Sequence, residues 1–147
     1  MIAAFVASIQ LAAAAPEPQE APDLTTLTRT TLEQCVASPD AVGGAGMLDV
    51  SDAGWAWPFS DGFECGLRAD DWRGDDGALT AAARRAVGAD GPGWTGPVRD
   101  SRPNERGPAL WTRLERAEGG RQTSLMVIEP PAGQRGSVEI YYSQGWP

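Results

Sequence analysis

Cys35 and Cys65 are the two cysteines of the chain, and each falls on the apolar phase of a different periodicity. Leu24, Leu27, Thr28, Thr31, Leu32, Cys35 and Val36 recur at three- and four-residue intervals, the spacing of one face of an α-helix. Phe63, Cys65 and Leu67 alternate with Glu64 and Gly66, the rhythm of a strand with one face turned inward. Helix and strand therefore aim their sulfurs at a common interior. In an oxidising compartment an isolated pair is most simply a disulfide, and closing a loop of about 31 residues is worth roughly 3–4 kcal/mol on chain-entropy grounds. Such a bond pins a helix to a strand and removes most alternative packings. A zinc site is disfavoured, because two thiolates in a chain with no histidine leave a tetrahedral metal two ligands short.

The compartment follows from the N-terminus. Met1 to Ala15 carries no charged side chain, mixes Ile2, Phe5, Val6, Ile9 and Leu11 with alanine, and runs into Pro16-Glu17-Pro18. This pattern predicts an export signal over residues 1–14, with small residues Ala12 and Ala14 before the cut. The apolar run falls short of the ~20 residues that span a bilayer, so no stable membrane span is expected. Residues 15–23, with Pro16, Pro18 and Pro22, read as an extended tether, and residues 24–147 as a single domain. The expected location is periplasmic or secreted.

Leu, Ile, Val and Phe make up only 25 of 147 residues, with a net charge of −8, a combination common in disordered chains. Six tryptophans argue for order, since each can bury about 150–250 Å². Gly 18 and Pro 12 imply many turns. Between Pro16 and Asp76 thirteen acids face three arginines, whereas Gly77 to Pro147 carries nine arginines and seven acids. An acidic first half disfavours nucleic acid, which needs a basic patch to neutralise phosphates.

Asp23 is placed to cap the first helix, which ends before Ser38-Pro39, and Asp76 to cap a second over Leu79, Ala82, Ala83, Ala86 and Val87, stopped at Gly88. Gly43 to Gly46 reads as a loop and Met47 to Val50 as a short strand, while Pro58 confines Trp55 to Phe59 to an edge or loop. Asp70 to Asp76 reads as an acidic loop. Ala89 to Pro108, rich in Gly and Pro around Trp94, has the length of a functional loop. Leu110, Thr112 and Leu114 alternate with Trp111, Arg113 and Glu115. Glu118-Gly119-Gly120-Arg121 forms a turn, Thr123 to Glu129 returns, and Val138, Ile140 and Tyr142 mark a third strand. The sum is an α+β domain with two helices on one face of an antiparallel sheet of about five strands, in the order α-β-β-α-β-β-β, ending in a three-stranded meander.

Chemistry is bounded by what is missing. Without histidine there is no Ser-His-Asp or Cys-His mechanism, and with all twelve basic residues arginine there is no Schiff base or P-loop lysine. No catalytic residue, cofactor or metal ligand set is therefore expected. Asp70 to Gly77 concentrates oxygen ligands, but in a calcium-loop register Trp72 and Gly74 occupy positions that need acids. The one pair of carboxylates that invites a hydrolase reading is Asp61 and Glu64, beside Trp55, Trp57 and Phe59. Exposed indoles offer a different function, stacking on sugar rings or anchoring a protein. Trp94, Trp55 and Trp57 are the candidates, with Trp146 expected to close the sheet. These readings converge on an exported, non-catalytic binding or accessory domain whose partner is an envelope glycan or another envelope protein. The alternatives are a carboxylate-dependent hydrolase of envelope glycans and a structural protein with no small ligand.

Overall fold

The computed structural model describes residues 20–44 and 46–145. The expected export signal, most of the tether and Trp146 lie outside the described residues. Helix α1 spans Leu24–Ala37, and Asp23 Oδ1 accepts from the Thr26 N–H at 2.7 Å, satisfying one of the unpaired donors of the first turn. The Leu24 N–H donates to Asp52 Oδ1 at 2.8 Å, tying the start of the helix to a strand turn. Leu24, Leu27, Thr28, Thr31, Leu32 and Cys35 are buried. The stripe stops there, because Val36 is exposed.

After a 3-10 turn over Pro39–Ala41 the chain forms strands β1 (Leu48–Val50), β2 (Gly54–Ser60) and β3 (Glu64–Arg73). Helix α2 (Ala78–Ala86) follows, then β4 (Trp94–Ser101), β5 (Leu110–Glu118), β6 (Arg121–Glu129) and β7 (Arg135–Gly145). The strands make one seven-stranded antiparallel sheet in the order β1-β2-β3-β7-β6-β5-β4. The class is α+β as the pattern implies, with two strands more than expected.

Both additional strands contain a proline that argued against them. Pro58 lies opposite Leu67 of β3, whereas the pairing with β1 stops at Leu48 opposite Ala56. Its missing N–H therefore falls where β2 has no second neighbour. In β4 the Gly96-Pro97 dipeptide is absorbed by a register shift between Thr95 and Val98 at the sheet edge. Gly96 is required there, since its φ is +104° and a Cβ would sit 2.8 Å from the Arg113 carbonyl oxygen. The middle of the stretch expected as a loop, Trp94–Ser101, is thus an edge strand.

The acidic segment is also corrected. Strand β3 runs through Asp70, Asp71 and Trp72, and one extra residue between Ala69 and Trp72 shifts its pairing with β7. This bulge turns Trp72 into the core, where it is buried. Helix α2 is capped by Asp75 in place of Asp76. The chain turns through Gly77 at φ +99°, and Asp75 Oδ1 accepts from the Gly77 and Ala78 N–H groups at 3.0 Å each. At the other end Gly88 (φ +71°) stops the helix, with the Ala89 N–H bonded to the Arg84 carbonyl at 2.8 Å.

Helix α1 packs on β2 and β3, and α2 packs on α1 and β6. The core lies between them and the inward positions Cys65, Leu67, Ala69, Leu114, Leu125, Val127, Val138, Ile140 and Tyr142. Cys35 and Cys65 form the disulfide that joins α1 to β3, with their Cα atoms 5.7 Å apart. Residues of opposite parity face away from the helices, and this outer face carries the notable side chains.

Candidate functional site

Strand alternation presents Trp55, Trp57 and Phe59 of β2, Arg68 of β3, Glu139 and Tyr141 of β7 and Trp111 of β5 on the outer face. A simple sheet would leave them flat against solvent. The segment between β4 and β5 changes this by continuing the hairpin. The Arg102 N–H bonds the Ala109 carbonyl at 3.1 Å, the Asn104 N–H bonds the Gly107 carbonyl at 2.9 Å, and Asn104 Oδ1 accepts from the Arg106 N–H at 2.8 Å. This strap lies over β6 and β7, and Arg106 reaches Asp70 on β3 to form an ion pair. Ile128, opposite Trp111 in the sheet, is buried outside the main core cluster as a result.

Between strap and sheet is an open cleft of about 790 Å³, lined by Trp57, Arg68, Ala69, Trp111, Ser137, Val138 and Glu139 from the strands and Pro103 to Arg106 from the strap. Its volume lies within the range of small-ligand sites, as does its mixture of aromatic walls and a few polar groups. The walls are held from behind. Trp111 Nε1 donates to the Arg102 carbonyl at 3.2 Å, and the Arg102 guanidinium covers one face of the indole at 4.1 Å. Trp55 Nε1 donates to Asp70 Oδ2 at 3.2 Å, and the Trp55 and Trp57 ring centres are 6.3 Å apart.

The polar groups are paired to one another. Arg68 lies 3.6 Å from Glu139 Oε1 and donates to the Tyr141 hydroxyl at 3.4 Å, while that hydroxyl donates to Glu139 Oε1 at 2.9 Å. Arg68 also stands over the Phe59 ring at 5.2 Å, and Phe59 meets Tyr141 edge-on at 5.6 Å. Burial pushes the Tyr141 hydroxyl above the usual tyrosine range, against the opposing pull of Arg68. The aromatics and ion pairs together form one braced surface.

Of the three tryptophans singled out from sequence, Trp57 lines the cleft and Trp55 stands beside it on the same strand face. Trp94 does not join them. It opens β4, packs half-buried against the main core, and lies under the Arg116 guanidinium at 5.3 Å. Trp111 was not among the sequence candidates, although its alternation with Leu110 and Thr112 already set it on the face opposite the core. Arg68, Glu139 and Arg106 carried no local signal, because they meet only through sheet order and the strap.

Asp61 and Glu64 lie at the β2–β3 turn, away from the cleft. Asp61 Oδ1 accepts from the Phe63 and Glu64 N–H groups at 3.0 and 2.8 Å, and these bonds, the Glu64 one foremost, hold its carboxyl below the usual range. A glycosidase proton donor needs the opposite shift. Glu64 instead borders a smaller hollow of about 200 Å³ beside the disulfide, with Phe63, Arg121 and Tyr142. The carboxylate raised by burial is Glu129, which is enclosed between α2 and β6 and accepts from Thr80 Oγ1 at 2.6 Å. Among the described residues no three metal-binding side chains gather, and no helix is long and apolar enough to cross a membrane. Comparison with family models, curated proteins and solved structures finds no match to this chain.

Proposed function

We propose that this protein is an exported, non-catalytic binding domain of the cell envelope, and that it holds its ligand in the outer-face cleft. The observation that carries the reading is the strap. Eight residues from Arg102 to Ala109 fold over the sheet and are tied across it by Arg106 and Asp70. The result is a concavity walled by Trp57 and Trp111 that the core does not require. The Cys35–Cys65 bond suits an oxidising compartment, in keeping with the apolar, uncharged N-terminal segment. A hydrolase reading finds less support, because Asp61 is stabilised as a carboxylate by its turn.

The test is retention of the purified protein on immobilised envelope material. Binding should be lost in Trp57→Ala and kept in Trp94→Ala, and no bond cleavage should accompany it. Loss in Trp94→Ala alone would move the site to the β4 edge. Turnover that disappears in Glu64→Gln would make the protein an enzyme.

A further inference from the structure

We infer that the occupant of this cleft is an uncharged, hydroxyl-rich glycan chain that enters over β2, where Trp57 lines the cleft and Trp55 stands beside it; the inference rests on the cleft being the binding surface. Charge balance comes first. Two arginines, Arg68 and Arg106, and two glutamates, Glu105 and Glu139, line the cleft, and each arginine already has a carboxylate partner, Glu139 or Asp70. An anionic ligand on either guanidinium would lie beside the carboxylate already paired there and be repelled by it. A cationic ligand meets the converse cost at the guanidinium groups, and the one lining carboxylate outside these ion pairs, Glu105, is exposed on the strap. The site lacks the single-sign field that recruits a charged partner, even though the chain as a whole carries −8.

Paired charges still present hydrogen-bonding groups in fixed positions. A guanidinium has five donors, a carboxylate has several lone pairs, and one ion pair does not exhaust either. Donors and acceptors side by side are what a sugar hydroxyl matches, since it both donates and accepts. The Arg68, Glu139 and Tyr141 cluster provides such a set, braced by the Phe59 ring.

The aromatics supply the apolar half. Trp55 and Trp57 point to the same face two residues apart on β2, with ring centres 6.3 Å apart and planes tilted 51° to one another, so they offer two adjacent, angled stacking faces. Trp55 is 44% exposed although its indole N–H is bonded to Asp70. An exposed ring held in one position before any ligand arrives loses little freedom on binding. With Trp57 in the cleft and Trp55 beside it, a ligand that stacks on both extends past the cleft, which fits consecutive units of a polymer better than one small molecule.

The test fractionates host envelope into neutral polysaccharide, acidic polysaccharide and protein, and measures retention of the full chain on each at about 0.05 and about 0.5 M salt, where Debye screening differs severalfold. The expected result is retention on the neutral fraction that changes less than about twofold with salt, falls about tenfold or more in Trp57→Ala, and largely survives in Trp57→Phe, which keeps a stacking face. Thermal melting of each variant establishes that it is folded. Retention only on the acidic or protein fraction, still lost in Trp57→Ala, would overturn the glycan inference and leave the cleft as the binding surface. Retention on no fraction, or retention indifferent to Trp57, would overturn both.

Discussion

Arg106 pairs with Asp70 across the outer face of the sheet, joining the strap that precedes β5 to β3, 36 positions away in the chain, although β7 and β6 separate those two strands. The same carboxylate accepts from the Trp55 indole. One aspartate therefore fixes both the strap and one end of the aromatic row, because alternation after the inward Ala69 turns it to the same face as Trp55.

Breaking that pair should loosen the strap without unfolding the domain. Both side chains are solvent-accessible, at 61% and 38%, so Arg106→Ala should cost no more than about 1 kcal/mol of global stability. Hydrogen exchange at the Asn104 and Arg106 amides should nevertheless accelerate markedly, while amides of β6 stay protected. Unchanged exchange at the strap would show that Arg106 does not hold it.

The disulfide should dominate the covalent stability. With a sequence separation of 30 between Cys35 and Cys65, the double replacement by alanine should lower unfolding free energy by about 3–4 kcal/mol on chain-entropy grounds. Denaturant melts of the oxidised protein and the variant measure this directly. A difference under about 1 kcal/mol would mean that α1 is held on β3 by packing alone.

Glu129 should make stability fall as pH rises out of the acid range. Burial raises its carboxyl above the ordinary value of 4.5, so between the unfolded and folded values the native chain binds more protons than the unfolded one. The contribution is fully present below the unfolded value and is lost as pH passes through the folded one. Glu129→Gln should flatten this part of the pH profile and be the more stable protein near neutrality. Thr80→Val, which removes the 2.6 Å bond to Glu129, should cost about 1–3 kcal/mol by leaving a buried acceptor unpaired. A wild-type profile that rises over the same interval would contradict the assignment.

Two glycines separate backbone strain from close contact. Gly77 and Gly96 have φ of +99° and +104°, but nothing lies within 4 Å of a Cβ built on Gly77, whereas one on Gly96 meets the Arg113 carbonyl oxygen at 2.8 Å. Gly77→Ala should cost about 1–2 kcal/mol, the left-handed penalty alone. Gly96→Ala should cost more and detach β4 from β5, visible as lost amide protection at Val98 and Arg99. Equal melting temperatures would show that the edge strand yields freely.

How much was legible depends on whether a residue's role is set by near neighbours. Asp23, the buried stripe from Leu24 to Cys35 and the Glu118 to Arg121 turn could be read directly, because capping, helical period and turn chemistry act within a few residues. Strand β2 was hidden by Pro58 and β4 by Gly96-Pro97, since a proline is compatible with a strand only when the sheet leaves its N–H side free. That condition depends on where β1 ends and on which strand lies at the edge.

The candidate site divides in the same way. Alternation along β5 was enough to turn Trp111 away from the core, and the two cysteines on matching apolar phases already implied the helix-to-strand bond. The sequence by itself thus determined the class of fold and its disulfide, because these depend on backbone period. Only the tertiary structure decided that Trp57 shares a cleft with Trp111, that Arg68 is neutralised by Glu139, and that Trp94 belongs to the core. Those pairings join residues tens of positions apart, and they exist only because the strand order places β7 beside β3 and the β4–β5 strap reaches across the sheet to Asp70.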